Sequence, residues 1–242
     1  MLAKLGHKRF DWKLTLLVLV LCPVLVSLGF WQLQREQEKI DLLNLYTERL
    51  QQAPVDIALL DPLDDLSYRQ VTIAGSFDNT HVFLLDNKTY QGQPGYEVIV
   101  PLHTTAGTVA FINRGWIPQG QYRDQLPAIA SVFGEVSLTG SVYVAVGKQL
   151  VLGTELAAQG WPKVIQTLEP AVLFTLAGKD ARLTLFPFSI RLAQTSPHVF
   201  MRNWPAITTS PEKHRGYAVQ WFAMAATLLG LYLYYSLRST QK

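Results

Sequence analysis

The stretch LTLLVLVLCPVLVSLGFWQL, from Leu14 to Leu33, runs twenty residues without a charge. A helix of that length, at about 1.5 Å of rise per residue, spans the roughly 30 Å hydrocarbon core of a bilayer. A second uncharged run, YAVQWFAMAATLLGLYLYYSL, extends from Tyr217 to Leu237. Its aromatic ends (Tyr217 and Trp221, then Tyr232, Tyr234 and Tyr235) have the character of membrane-interface belts. Two such runs, one near each end, predict a membrane protein with two transmembrane α-helices flanking a mainly antiparallel β (α+β) exported domain. The expected divisions are an N-terminus 1–13, a helix 14–33, an exported domain 34–216, a helix 217–237 and a tail 238–242.

Flanking charges set the expected orientation. Lys4, Lys8, Arg9 and Lys13 precede the first run against a single Asp11. Just after it, Arg35 and Lys39 are balanced by Glu36, Glu38 and Asp41. Because basic flanks stay in the cytoplasm, both termini are expected there, with Arg238 and Lys242 in agreement. The rival reading of the first run is a cleaved signal peptide, with Ser27-Leu28-Gly29 as the processing site. Against it, the apolar run continues through Phe30, Trp31 and Leu33. The stretch Gln34 to Gln52 then stays helix-like, with Ile40, Leu43, Tyr46 and Leu50 on one stripe.

Composition excludes several classes of function. The chain of 242 residues is 49% hydrophobic and 16% charged, with a formal charge of +3. No Lys/Arg block of the kind that tracks phosphates occurs, so no nucleic-acid partner is expected. The single cysteine, Cys22, lies inside the first apolar run. That leaves the exported domain no internal disulfide, cysteine-ligated zinc, iron–sulfur cluster or CxxC pair.

Pro54 and the Asp61–Asp65 turn (DPLDD) end the first helical pattern. Beyond them, β-type runs are expected at Arg69–Phe77, His81–Asp86, Tyr96–Leu102, Thr108–Trp116, Glu135–Val146 and Leu183–Leu192. Lys163–Leu168 reads as a further short strand and Pro170–Ala177 as a short helix. An antiparallel sheet or partly closed barrel follows.

No HExxH, Walker A loop, GxGxxG or GxSxG is present, and no enzyme is expected. Ser210-Pro211-Glu212-Lys213 matches SxxK in form, but Ser before Pro is a helix start, and Thr209 with Glu212 makes a capping box. Of the five histidines, His7, His81, His103 and His198 are scattered without metal-ligand spacing. His214 differs. In a helix starting near Pro211 it occupies the first turn at the membrane surface, with Tyr217, Ala218 and Trp221 on its face. An imidazole beside aromatic rings at that depth suits axial ligation of a lipophilic metalloporphyrin, although the residues by themselves favour an interfacial histidine with no ligand role. On the second helix, Ala226 and Gly230 form a small-xxx-small pair expected to face the first helix.

Several segments in order resemble the SURF1/Shy1 family. They are Gly29-Phe30-Trp31-Gln32-Leu33-Gln34-Arg35 with Lys39; Tyr68-Arg69-Gln70-Val71 leading to Gly75-Ser76-Phe77-Asp78; and Gly95-Tyr96-Glu97-Val98 leading to Pro101-Leu102. The most specific are Asn113-Arg114-Gly115-Trp116-Ile117-Pro118 and His214-x-x-Tyr217-Ala218-x-Gln220-Trp221-Phe222. The resemblance implies an assembly factor for the haem-copper centre of cytochrome c oxidase, in the cell inner membrane with its central domain periplasmic. Its implied partners are the large catalytic subunit, other oxidase assembly factors and the lipid bilayer. It also implies transient binding of haem A, with His214 the candidate iron ligand and Tyr217, Trp221, Arg114 and Trp116 candidate contacts. The alternative is a scaffold that stabilises an oxidase intermediate without touching the cofactor. For Asn113–Trp116 two readings stand: contact with haem propionates or a partner, or a strand end where glycine permits a tight turn and Arg114 stacks on Trp116.

Overall fold

The structure is a computed structural model that describes residues 12–120, 125–145, 160–178 and 182–239. Lys4, Lys8, Arg9, Asp11, Lys242 and Val146 therefore lie outside the described residues. The chain divides into two compact units, Met1–Leu45 with Pro205–Lys242, and Tyr46–Trp204.

In the first unit the apolar runs form two helices, each long and apolar enough to cross a membrane. Helix α1, Trp12–Gln51, is 40 residues long and carries Pro23 within it. Proline there removes one backbone donor, a loss that membrane helices tolerate. Helix α3 is Pro211–Ser239. The two pair antiparallel. Near one end Thr15 Oγ1 lies 3.0 Å from Tyr232 Oη. Near the other, Arg215 Nε donates to Glu36 Oε1 at 2.7 Å. Thr15 to Glu36 on one helix covers about 30 Å of rise, which matches the hydrocarbon thickness.

Small residues permit the approach, though not those expected. Ala218 and Ala225 are buried. A Cβ on Gly29 would stand 2.6 Å from the Phe222 ring, and Phe30 meets that ring edge-on at 5.3 Å. Gly230, by contrast, has open space where a Cβ would be, and Ala226 is exposed. The expected Ala226/Gly230 contact is thus corrected to one centred on Gly29, Ala218 and Phe222. At 100° per residue, positions 218, 222 and 225 fall on one stripe with 214, whereas 226 and 230 are rotated off it.

Among the described residues, the second unit is built on an eight-stranded sheet. Its strands are β1 Val55–Asp56, β2 Gln70–Phe77, β3 Phe83–Tyr90, β4 Gln93–His103, β5 Thr108–Pro118, β6 Glu135–Tyr143, β7 Lys163–Ile165 and β8 Thr184–Leu192, with helix α2, Pro170–Leu176, before the last. The order is β1-β2-β6-β8-β5-β4-β3-β7, and a further β2–β4 pairing closes β2-β6-β8-β5-β4 into a ring. The sheet is mixed. Pairings β1–β2, β3–β7 and β5–β8 are parallel, and the other five are antiparallel.

Strand β4 is buried on both faces because its alternating side chains serve two cores. Tyr96, Val98, Val100 and Leu102 point into the ring with Ile73, Ala110 and Ile112. Ile99 joins Phe83, Val109, Phe111 and Leu173 in a second cluster under α2. That double burial explains why VIVPL, residues 98–102, reads as a continuous apolar run and not as an alternation.

Candidate functional site

Helix α3 starts at Pro211, where proline is at ease because the first helical N–H groups have no partner anyway. Lys213 N donates to Ser210 O at 3.2 Å, so Ser210 stands at the helix start as expected, and its side chain, in place of the expected Thr209, pairs with Glu212.

His214 consequently stands in the first turn, as expected, and is half-buried. Its Nδ1 lies 2.8 Å from Gln32 Oε1 of α1. A neutral imidazole that donates from Nδ1 to that amide oxygen would leave Nε2 with its lone pair. One residue on, Arg215 contacts Glu36 Oε1 through Nε at 2.7 Å and Nη2 at 2.5 Å. Glu36 is only 7% exposed, so α3 supplies the cation that its burial requires. Gln32 and Glu36 are one turn apart on α1. The rung they form with His214 and Arg215 holds the imidazole from the side. Ala218 is 1% exposed beneath it and Trp221 is half-buried, while Tyr217 is 49% exposed at the margin of the face.

Arg114 and Trp116 lie in the other unit, and both are used internally. Residues Arg114 and Gly115 of β5 stand opposite the single Val98 of β4, since Asn113 pairs with Ile99 and Trp116 with Glu97. This is a bulge, and Gly115 adopts φ +113° at it. The extra residue reverses the alternation, so Arg114 and Trp116 face opposite sides. The expected Arg114-on-Trp116 stack therefore does not form.

Arg114 turns inward, where its guanidinium lies 4.5 Å from the Phe200 ring centre and its Nε donates to His198 O at 3.0 Å. It is 4% exposed, and burial pulls its pKa down to about 10. Trp116 donates from Nε1 to Lys88 O at 3.2 Å and packs beside Tyr90. The Asn113–Trp116 motif also clamps the chain that follows β8. Trp116 N donates to Met201 O, and Phe200 N to Arg114 O, both at 2.6 Å.

The histidines that look scattered in sequence are not all scattered in space. The Phe77–Leu102 pairing brings the ends of β2 and β4 together. There His81 Nδ1 lies 2.5 Å from Asp78 Oδ2, and His103 Nε2 lies 3.9 Å from the same oxygen. Burial acts to raise the pKa of Asp78, but hydrogen bonds from the His81 ring and from the Thr80 and His81 backbone prevail and lower it. The three line an apolar cavity with Pro101, Phe111 and Phe174. No group of three or more His, Cys, Asp or Glu able to hold a metal ion occurs among the described residues.

Comparison with known proteins gives a match to the SURF1 family over residues 19–226. The chain is similar to Surfeit locus protein 1 of Gallus gallus, 29% identical over 143 residues (51% of this chain, 46% of that one). It is similar to a SURF1-like protein of Rickettsia felis, 34% identical over 106 residues (43% and 46%). Similarity to a SURF1-like protein of Monosiga brevicollis is lower but longer, 24% over 224 residues (87% and 83%). The chain thus spans about half the length of the first two relatives.

Proposed function

The chain belongs to the SURF1 family, and on that premise we propose that it is an assembly factor for the haem-copper centre of cytochrome c oxidase, carrying haem A as cargo on its way to the large catalytic subunit. In this reading the protein sits in the cell inner membrane with both termini cytoplasmic and the central domain periplasmic. Its work is retention and release of a cofactor, not catalysis, and its other contacts are the remaining assembly factors and the bilayer.

The observation that carries the proposal is the Gln32–His214 hydrogen bond. A histidine that ligates a metal almost always donates its other ring N–H to an acceptor, which fixes the tautomer and the ring orientation. Here Gln32 takes Nδ1–H, and Nε2 is the nitrogen left for iron. The donor chemistry fits a haem. Bound there, the haem would supply the iron and propionates that the oxidase needs. His214 would hold it, Gln32 would fix the imidazole, and Trp221 and Tyr217 on the adjoining face would offer aromatic contact. His214 stands at one end of a helix pair of bilayer length, so a ligand on it could keep a hydrocarbon tail in lipid and carboxylates in water. Arg114 is not included among the haem contacts, because its guanidinium is engaged inside the domain.

The test purifies the protein from cells that make haem A, records the visible spectrum and extracts the pigment. Haem A in the extract, close to one per chain, is the expected result. Colourless protein that still captures oxidase subunits would replace the carrier with a pure scaffold.

A further inference from the structure

A second polar constellation lies in the Tyr46–Trp204 unit, on the outer face of the strand ring. Ile190, Leu192, Val142 and Val71 point inward, so the alternating neighbours Arg191, Ser141 and Gln70 point outward. Register places Asn113 beside Arg191, Arg191 beside Ser141, and Ser141 beside Gln70. Glu97 completes the row by accepting from Asn113 Nδ2 at 2.6 Å. Its other oxygen accepts from Trp204 Nε1 at 3.0 Å. Glu97 is buried, and each of its oxygens has a neutral donor.

Around Trp204 stand two guanidiniums. Arg191 lies 3.7 Å from the Tyr143 ring centre and 5.3 Å from that of Trp204, and Arg202 lies 5.1 Å from that of Trp204. Neither makes a hydrogen bond or ion pair among the described residues, and the Nε of each is buried without an acceptor. Arg49, whose Nε is also buried, differs in that its Nη2 donates to Asp65 O. Stacking satisfies the faces of a guanidinium but not its edge, where all five N–H donors lie.

Arg191 therefore lies near the Glu97 carboxylate without bonding it, and Arg202 brings a second positive charge beside it. The imbalance is felt. Burial lowers the pKa of Arg191, Glu97 opposes this, and Arg202 adds to the lowering. Buried donors with no acceptor call for an explanation, and an ion that the polypeptide does not itself provide is among the standard ones. Both side chains are half-buried and not sealed off, so an oxyanion can reach them from solvent.

We propose that Arg191 and Arg202, ordered around Trp204, form a binding site for a small oxyanion, a phosphate or carboxylate group. Planar guanidinium forks match the paired oxygens of either group. The aromatic rings fix the forks in advance, so little side-chain freedom is lost on binding. The site involves neither His214 nor haem, and it stands or falls independently of the carrier reading.

The experiment titrates inorganic phosphate into the full-length protein in nanodiscs of zwitterionic phosphatidylcholine, followed by calorimetry. One saturable site is expected, and Arg202→Gln should weaken it about tenfold or more, the effect of losing a charge-assisted contact. Arg202→Lys, which keeps the charge and loses the fork, should fall between. Repeating the titration with phosphatidylglycerol in the nanodisc separates the sources: a lower apparent phosphate affinity assigns the site to a lipid headgroup, and an unchanged one to a soluble oxyanion. If Arg202→Gln does not fold, the wild-type protein still decides. Its melting temperature should rise with millimolar phosphate and not with chloride at matched ionic strength. Absence of saturable phosphate binding, equal melting in the two salts, or wild-type affinity in a folded Arg202→Gln protein would overturn the site.

Discussion

Gln32 and His214 are 182 positions apart in the chain, yet their side chains meet at 2.8 Å. Each belongs to a segment that is recognisable in the sequence, but nothing in either segment says that they touch, because the contact depends on the antiparallel offset of two helices. If Gln32 fixes the imbidazole for iron, Gln32→Leu should leave the helices paired and weaken haem A binding by about ten- to a hundredfold, the usual effect of removing a ligand's supporting acceptor. Gln32→Glu, which keeps an acceptor, should restore most of the binding; pigment content per chain is the measurement. Gly115 is a second residue whose part is conformational. Its φ of +113° and the 2.6 Å that would separate a Cβ from Met201 O leave no room for a side chain. Gly115→Ala should destabilise the domain by about 2–3 kcal/mol, read as a shifted denaturation midpoint. Tolerance of alanine would mean that the bulge relaxes and does not clamp residues 198–201. The glycine was legible in the sequence as a special backbone position. The bulge that turns Arg114 away from Trp116 was not, because one inserted residue changes side-chain direction without changing composition.

At the level of elements, hydrophobic runs located the helices and strands well, since burial of one or both faces is what those runs encode. The short helix at Pro170 and the strand at Lys163 fall where turn residues and apolar residues placed them. Partner choice was less legible. The parallel β5–β8 pairing joins strands separated by β6, β7 and α2, and no local signal specifies it. The helix face was likewise misassigned: a small-residue spacing marks where close approach is possible, not where it occurs. Gly29→Leu should therefore weaken association of α1 with α3, because its side chain must displace the Phe222 ring. Gly230→Ile should have little effect, since open space surrounds that position. Disulfide cross-linking of Thr15→Cys with Tyr232→Cys reports both results. Loss of cross-linking in Gly230→Ile alone would reverse the assignment.

For the molecule as a whole, two bilayer-length helices and a β domain between them follow from the apolar pattern, the closure of the strand ring does not, and the family follows from ordered short motifs. The chemistry was only half legible. His214 could be singled out by depth and position, but its supporting Gln32, the Arg215–Glu36 pair and the Asp78–His81–His103 cluster all require the fold. If the basic N-terminal flank sets the topology, reporter fusions after Gln52 and after Gly160 should be active only with an export-dependent reporter. Activity of a cytoplasmic reporter at either position would invert the protein in the membrane. The carrier reading itself rests on one nitrogen, Nε2 of His214. The most direct measurement compares the visible spectrum and extracted haem A of wild-type, His214→Ala and His214→Met proteins purified in parallel from cells that make haem A. His214→Ala should remain folded and inserted but lose most of its pigment, and His214→Met, which keeps an iron donor, should retain more pigment with a shifted spectrum. Wild-type occupancy and an unchanged spectrum in His214→Ala would contradict ligation by His214.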